Sequence, residues 1–243
     1  MMGEYEYMNR DCLYIVIPAY NEECNIEKVI EQWHSVVKKI GGNSRLVIIN
    51  DGSKDSTYEK IKGCEEKYPL LIGIDKKNEG HGATILFGYK YAIEAGAEYI
   101  FQTDSDGQTL PEEFGALWED REKGGLLIGY RKGRKDGLSR VFVTKVLKFV
   151  LFLTFGVHVK DANTPFRLMK AEELKAVLEK IPAGFNLSNV LMTVIYEKEK
   201  LGVRYYPITF RPRQGGKNSI NMKKIMRIGK KAWADFRKLN RSI

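Results

Sequence analysis

Short apolar segments alternate with amphipathic segments along the first half of the chain. The apolar segments are rich in β-branched residues and have the length of buried strands: 13–18, 46–49, 70–74, 99–103 and 126–129. The segments between them show helical spacing or helix-start signals: 26–40, 55–67, 82–95 and one that begins at Pro111. This alternation predicts βαβ units, and therefore a mainly parallel sheet covered by helices on both faces.

The second half is less regular but contains the same types of element. We predict helices at 141–156, 171–181 and 189–201, and strands at 166–169 and 203–210. A basic amphipathic helix is predicted at 222–239. The sequence therefore predicts an α/β catalytic domain over residues 1–220. A basic C-terminal helix over residues 221–243 either belongs to the same domain or faces a membrane.

Positive charge is concentrated in the second half. The 243 residues carry a net charge of +9, but residues 1–120 hold 12 basic and 22 acidic side chains, whereas residues 121–243 hold 28 and 9. A basic half of this kind favours an anionic partner, such as a nucleotide, a phosphate, an acidic membrane or a nucleic acid. The alternative is a solvated basic surface that has no partner.

The cysteines and the N-terminus indicate the compartment. Cys12, Cys24 and Cys64 form no CxxC pair and cannot all be paired, which excludes a disulfide framework and favours a reduced, cytoplasmic compartment. The N-terminal residues are polar and acidic, unlike those of a secretory signal peptide. Charged residues interrupt the apolar stretch 141–159, so it falls short of the roughly 18–20 residues that span a membrane.

Polar clusters follow four of the predicted strands, at the point where each strand ends. They occupy residues 18–22, 50–53, 78–82 and 104–108. Because the carboxyl ends of parallel strands lie at the same edge of a sheet, and ligands bind at that edge, we expect one cleft that contains all four clusters.

Asp104 and Asp106 have the most specific chemistry in these clusters. Two carboxylates one residue apart at a strand end can both bind one hard divalent cation, Mg²⁺ or Mn²⁺. The alternative is a loop of turn-forming residues. Asp51 can accept hydrogen bonds from a nucleobase or ribose, or it can cap a helix or close a turn. Tyr20 can stack on a base or pack on the sheet.

Taken together, these segments resemble the family 2 glycosyltransferases of the GT-A fold. The matching motifs are PAYNEE, NDGSKDST and NEGHGATILFGYKYAIEAGAEYIFQTDSDGQTLPEEF, in this order. The later motifs IGYRKGR, KDANTPFRLMK and RPRQGGKNS are similar to those of the polyprenyl-phosphate branch, the dolichyl-phosphate mannosyltransferase type. The resemblance covers roughly residues 12–220. It implies an α/β, GT-A Rossmann-like, mainly parallel sheet flanked by helices, with a basic helical C-terminal elaboration.

The resemblance also implies roles for the matching residues. One group would hold the nucleotide-sugar donor: Pro18, Tyr20, Glu22, Asp51, Ser105, Arg213 and Ser219. A second would bind the divalent cation: Asp104, Asp106 and Gln108. A third would act in catalysis, on the acceptor phosphate or at the donor–acceptor junction: Asp161, Arg131, Arg140 and Arg167. Arginine suits such a role because its planar fork binds phosphate in a bidentate manner.

The implied activity is an inverting, metal-dependent transfer of sugar from a UDP- or GDP-sugar to an acceptor. A polyprenyl or dolichyl phosphate is the first expectation, and a hydroxyl of a growing polysaccharide or glycolipid is the alternative, with Asp161 as general base. Two other functions are a sugar-phosphate nucleotidyltransferase and a non-catalytic module that binds anionic membranes or nucleic acid. The chain lacks the glycine-rich N-terminal loop of the former and any nucleic-acid-binding motif, so we expect no nucleic-acid partner.

Two segments predict a peripheral location on an anionic membrane, at the cytoplasmic face of the inner membrane. Residues 141–157 are apolar and long enough to lie in a lipid interface, and residues 222–239 combine basic and apolar sides. Each basic residue near an anionic surface contributes roughly 1 kcal/mol to binding. The alternative is that both helices pack on the catalytic domain and direct their basic edges to water.

Overall fold

A computed structural model describes residues 11–131 and 137–212, with the backbone alone for residues 137–143, and residues 235, 236 and 239. Seven strands of the described chain form a single sheet in the order β3-β2-β1-β4-β6-β5-β7. They are β1 Leu13–Ala19, β2 Arg45–Asp51, β3 Leu71–Lys76, β4 Tyr99–Thr103, β5 Leu126–Arg131, β6 Phe166–Lys170 and β7 Val203–Ile208. Strand β6 runs antiparallel to β4 and β5, and the other neighbouring pairs are parallel. The predicted mainly parallel α/β sheet is confirmed.

Helices connect the strands as the amphipathic spacing predicts. The described helices are α1 Ile26–Ile40, α2 Thr57–Glu65, α3 His81–Glu94, α4 Phe114–Glu119, α5 Gly137–Phe155, α6 Ala171–Leu178 and α7 Ser188–Lys198. Helix α1 has the predicted bounds, whereas α5 begins four residues before the predicted start at 141. Pro111 opens a 3₁₀ turn, Pro111–Glu113, rather than α4 itself. The predicted helix at 222–239 lies outside the described residues except at positions 235, 236 and 239.

Each face of the sheet has its own buried core. On one face, Trp33 of α1 contacts Phe101, whose ring also meets Phe166 edge-on at 4.8 Å between centroids. On the other face, α3, α6 and α7 cover the sheet. Helix α3 lies close to the sheet at Gly88, where a Cβ atom would come within 2.4 Å of Val16 Cγ1. A larger residue at this position would push α3 away from the edge that carries the polar clusters.

A third cluster joins the C-terminal part of the chain to the domain. Phe236 is fully buried, with ring centroids 5.5 Å from Phe155 of α5 and 5.9 Å from Phe185. Leu239 packs against the core on the α3 side. At these two described positions the C-terminal segment therefore packs on the domain. Across the described residues, every helix is too short or too polar to cross a membrane.

Candidate active site

The predicted polar clusters meet at the carboxyl edge of the parallel strands. The Ser105 hydroxyl after β4 donates a hydrogen bond to the carbonyl of Pro18 in β1 (2.8 Å). Asn21, in the left-handed region with φ of 54°, connects the segments after β1 and β2. Its backbone N–H donates to Ser53 Oγ (3.0 Å), and its side-chain oxygen accepts the backbone N–H of Lys54 (2.8 Å). Neighbouring strand ends are thus joined into one edge, as the sequence predicts.

Asp104 carries a buried carboxylate oxygen that lacks a hydrogen-bond partner. The atom is Oδ1, and no donor of the described residues lies within hydrogen-bond distance of it. Burial raises the pKa of Asp104 well above its usual range, and the negative charge of Asp106 raises it further, while Arg131 acts in the opposite direction. His81 Nε2 lies 3.8 Å from this atom, beyond hydrogen-bond distance. A buried carboxylate oxygen that accepts no hydrogen bond, beside a second carboxylate, is costly for the protein alone.

These features fit a divalent cation. Hard cations prefer carboxylate oxygens, and Mg²⁺ keeps water and phosphate oxygens as its other ligands. In the described part of the chain, no set of three or more His, Cys, Asp and Glu side chains surrounds a common point. Asp104 and Asp106 would therefore hold the ion together with groups from the substrate. The Asp104 Oδ1 atom, which accepts no hydrogen bond from the described residues, suits a ligand of such a cation.

Gln108 connects the loop after β4 to the chain beyond β7. Its side-chain Nε2 donates to the backbone carbonyl of Arg211 (2.8 Å). Its backbone carbonyl accepts a hydrogen bond from the Arg211 backbone N–H (2.9 Å). The backbone N–H of Gln108 also donates to Asp106 Oδ1 (3.1 Å). The amide of Gln108 thus positions two segments of the site. Its role as a metal ligand, which would use Oε1, stays a prediction.

Asp51 is buried, and both of its carboxylate oxygens accept hydrogen bonds from the protein. Oδ1 accepts from Lys76 Nζ and the Glu79 N–H, both at 3.0 Å, and Oδ2 accepts from the Gly80 N–H at 2.9 Å. Burial opposes ionisation, but these bonds outweigh it and hold the pKa of Asp51 below its usual value. Strand register explains the contact with Lys76, because the two residues are paired across β2 and β3.

Asp51 therefore organises the loop that leads into α3. Gly80 has a φ of 93°, which glycine adopts without strain. Asp51 accepts hydrogen bonds from backbone N–H groups of this loop, which resembles the expected alternative that it closes a turn. Its contact with a nucleoside stays a prediction. Tyr20, which follows β1, is 40% exposed, and its role in stacking on a base stays a prediction. Glu22 is buried, and its Oε2 accepts from Asn25 Nδ2 (2.8 Å).

Arg167, predicted as a catalytic residue, is completely buried. It lies in β6, and its guanidinium donates four hydrogen bonds of 3.0–3.2 Å to backbone carbonyls: those of Ala162, Thr164 and Asn189. In this structure Arg167 holds the loop 161–164 in place. Its catalytic role at the donor–acceptor junction stays a prediction.

Of the other predicted catalytic residues, the structure describes the side chains of Arg131 and Asp161. Arg131 ends β5, and its Cζ lies 3.6 Å from the centre of the Phe210 ring. Asp161 is buried, and its Oδ1 accepts the Asn163 N–H (3.2 Å), which is an Asx-turn contact. The side chain of Arg140 and the residues Arg213 and Ser219 lie outside the described residues.

Sequence reasoning missed Lys76, Phe210 and Arg211 as residues of the site. Lys76 ends a predicted strand, as the predicted residues do, but a lysine there has no motif of its own. Phe210 and Arg211 lie where the motif RPRQGGKNS begins, yet their contacts with Arg131 and Gln108 join residues some 80–100 positions apart. Such contacts follow from the pairing of β5 with β7 and not from local spacing.

The fold and the site define a Rossmann-like α/β enzyme with an acidic loop at the carboxyl edge of its sheet. This loop, residues 104–108, is here called the metal-type loop. A family model described as glycosyl transferase family 2 matches residues 14–178. The chain belongs to this family and is a glycosyltransferase. The nucleotidyltransferase and the non-catalytic module are therefore not supported as functions.

Curated relatives fall in the branch that the later motifs indicate. A UDP-N-acetylglucosamine–dolichyl-phosphate N-acetylglucosaminyltransferase of Methanococcus voltae is 28% identical over 216 residues, covering 81% of this chain and 84% of that protein. A dolichyl-phosphate beta-glucosyltransferase of Trichomonas vaginalis is 26% identical, covering 93% and 73%. The chain spans about half (52%) of the undecaprenyl-phosphate 4-deoxy-4-formamido-L-arabinose transferase of Shewanella sediminis, to which it is 29% identical over 70% of its own length.

Solved structures confirm the GT-A-like fold. Glucosyl-3-phosphoglycerate synthase from Mycobacterium tuberculosis, in complex with Mn²⁺, UDP and glucosyl-3-phosphoglycerate, superposes with a TM-score of 0.67 at 16% identity. The match covers 94% of this chain and 80% of that one. At this identity the likeness concerns the fold.

Proposed function

We propose that this glycosyltransferase moves a sugar, with inversion, from a nucleotide-sugar donor to a polyprenyl phosphate. The observation that carries the proposal is the carboxylate pair Asp104 and Asp106: Asp104 Oδ1 is buried and accepts no hydrogen bond from the described residues, and the cationic Arg131 is close enough to lower the Asp104 pKa. This arrangement suits a metal-bound diphosphate on one side and a second phosphate on the other. The names of the relatives, which act on dolichyl and undecaprenyl phosphates, support the choice of acceptor.

The proposed reaction needs little acid–base chemistry from the protein. An oxygen of the acceptor phosphate forms the bond to the anomeric carbon, while the bond from that carbon to the nucleoside diphosphate breaks. The attacking oxygen is already anionic, so no proton has to be removed. The residues of the chain therefore act by position and charge, with Arg131 holding the acceptor phosphate and Asp104 and Asp106 holding the cation. When bound, this cation neutralises charge on the departing diphosphate.

A hydroxyl acceptor would require a general base. Asp161 is the residue predicted for that role, and its Oδ1 is engaged in the turn with Asn163. This contact does not prevent Asp161 from accepting a proton, and the choice of the phosphate acceptor over the hydroxyl is supported by the names of the relatives.

A transfer assay tests the proposed function. The full chain is incubated with Mn²⁺ and a panel of UDP- and GDP-sugars, with farnesyl monophosphate or with an alcohol of the same chain length. We expect nucleoside diphosphate release that the phosphate, but not the alcohol, accelerates. Equal stimulation by the alcohol would contradict the phosphate acceptor, and release of pyrophosphate would contradict glycosyl transfer itself.

We further propose that one face of α5 contacts an anionic membrane surface, at the cytoplasmic side. Four large apolar side chains are exposed on this face, here called the α5 apolar face: Val146, Phe149, Phe152 and Leu153. Phe149 and Leu153 are more than 60% exposed, and Lys145 lies exposed on the same side of the helix. Apolar side chains flanked by lysines suit the headgroup region of an anionic bilayer. Because Phe236 and Leu239 pack on the domain, the proposal does not rely on the C-terminal helix.

Vesicle flotation tests the α5 apolar face. Replacing Phe149 and Leu153 together by glutamine should lower binding to anionic vesicles about tenfold or more, because two large apolar side chains no longer enter the lipid. The matched control replaces Phe87 and Leu201, which are exposed on other elements, and should bind like the unmodified chain. Binding should also fall with salt, because lysine attraction is screened. Equal binding by both double variants would contradict the proposal.

A further inference from the structure

The segment Thr209–Arg211, directly after β7, is bound to the metal-type loop by paired contacts. The Arg211 N–H donates to the Gln108 carbonyl (2.9 Å), and Gln108 Nε2 donates to the Arg211 carbonyl (2.8 Å). The Arg211 guanidinium also donates to the Gly107 carbonyl (3.3 Å). The Thr209 N–H donates to both carboxylate oxygens of Glu113, at 2.8 and 3.0 Å. We call the segment Thr209–Arg211 the clasp.

The middle residue of the clasp, Phe210, contacts the arginine that ends the neighbouring strand. The Arg131 guanidinium carbon lies 3.6 Å from the centre of the Phe210 ring, well within the range of a cation–π interaction. Strand register explains the contact. Arg131 pairs with Ile208 in the parallel β5–β7 ladder, and Phe210 lies two residues further along, on the same side as Ile208.

We propose that Phe210 is a positioning residue, which sets the plane of the Arg131 guanidinium for the acceptor phosphate. This inference rests on the proposed function, because it takes Arg131 as the group that binds that phosphate. A ring beneath the guanidinium restrains its rotation, while its N–H donors, which lie in the plane, are not used by this contact. A carboxylate in place of the ring would instead compete with the phosphate for the same donors.

The clasp also fixes where this arginine lies relative to the metal-type loop. Phe210 is partly buried against the core that contains Phe101 and Phe166, so its ring has a rigid base. Its two chain neighbours are hydrogen-bonded to Gln108, in the loop after β4, and to Glu113, directly before α4. The distance between the cation site and the acceptor-phosphate site is thereby set by three consecutive residues.

Kinetics of ring-deleting and ring-retaining variants test the proposal. Phe210→Leu removes the π-face and should raise the KM for farnesyl monophosphate about 2- to 30-fold, as expected from the strength of cation–π contacts. The KM for the nucleotide sugar should not change. Phe210→Tyr retains the ring and should restore the acceptor KM. Phe87→Leu, an exposed position on α3, is the matched control and should change neither constant.

A double-mutant cycle separates this inference from the proposed function. If Phe210 acts through Arg131, then Phe210→Leu should add nothing to the acceptor KM of Arg131→Ala. Full additivity, or an unchanged acceptor KM for Phe210→Leu when Arg131→Ala raises it, would overturn the positioning role. An unchanged acceptor KM for Arg131→Ala would instead overturn the acceptor contact of the proposed function, and the positioning role with it.

A direct measurement does not depend on turnover. In the folded protein, the Phe210 ring should shift the NMR resonances of the Arg131 side chain upfield through its ring current. Phe210→Leu should remove that shift and Phe210→Tyr should keep it. If Phe210→Leu does not fold, Phe210→Met provides a ringless side chain of similar volume. Identical Arg131 shifts with and without the ring would overturn the inference.

Discussion

Replacing Asp106 by alanine should reduce sugar transfer at least about a thousandfold and leave the fold intact. The loss follows because Asp104 alone would hold the cation, and stabilisation of the departing diphosphate amounts to several kcal/mol, each 1.4 kcal/mol being tenfold in rate. The fold should survive because Asp106 is partly exposed and its hydrogen bond with the Gln108 N–H lies within its own loop. Initial rates with Mn²⁺ and thermal melting measure the two effects separately.

Asp104→Asn provides a companion variant with a distinctive signature. It should lose transfer to a similar extent, but without added metal it should melt at or above the temperature of the unmodified chain. The amide removes the charge repulsion with Asp106 at a buried oxygen that accepts no hydrogen bond from the described residues. Asp120→Ala, which removes a carboxylate bound to Tyr206 and Lys123, is the matched control and should retain transfer. Near-normal turnover by Asp106→Ala would contradict the metal assignment.

Replacing Arg167 by leucine should lower the free energy of unfolding by about 2–4 kcal/mol. Removing the guanidinium leaves the Thr164 carbonyl without the two hydrogen bonds it accepts, whereas the carbonyls of Ala162 and Asn189 also accept from Thr193. Relief of the buried charge offsets part of this cost, so the loss is smaller than four hydrogen bonds would give. The melting temperature should fall by about 4–16 °C for a chain of this size.

Melting and kinetics together distinguish this structural role from direct catalysis. Arg167→Lys should also be destabilised, because an ammonium group cannot reach three carbonyls that a planar fork can. Arg45→Leu is the matched control, since its half-buried guanidinium donates to a neighbouring carbonyl in its own strand region. An Arg167→Leu protein that melts like the unmodified chain but has lost all transfer would contradict the structural role and support a catalytic one.

The order of elements and the location of the site were predictable from the sequence. Strands of four to seven residues between amphipathic helices are specified by local patterns, as the unchanged bounds of α1 and β4 illustrate. The polar clusters lie at the strand ends in the sequence itself, so a parallel sheet necessarily brings them to one edge. The paired carboxylates of Asp104 and Asp106 were predictable for the same reason, because only one residue separates them in the sequence.

The roles of individual polar residues depended on the tertiary structure. The resemblance implies a catalytic role for Arg167, and only the antiparallel insertion of β6 between β4 and β5 shows that its side chain is buried. The sequence leaves Asp51 open between a nucleoside contact and a cap or turn, and its pairing with Lys76 and two loop amides appears only when β2 and β3 are in register. Phe210 carries no motif and gains its contact with Arg131 from the β5–β7 ladder. Local spacing determines which residues share an edge, whereas burial and hydrogen-bond partners come from strands that are distant in the chain, and no local pattern encodes their register.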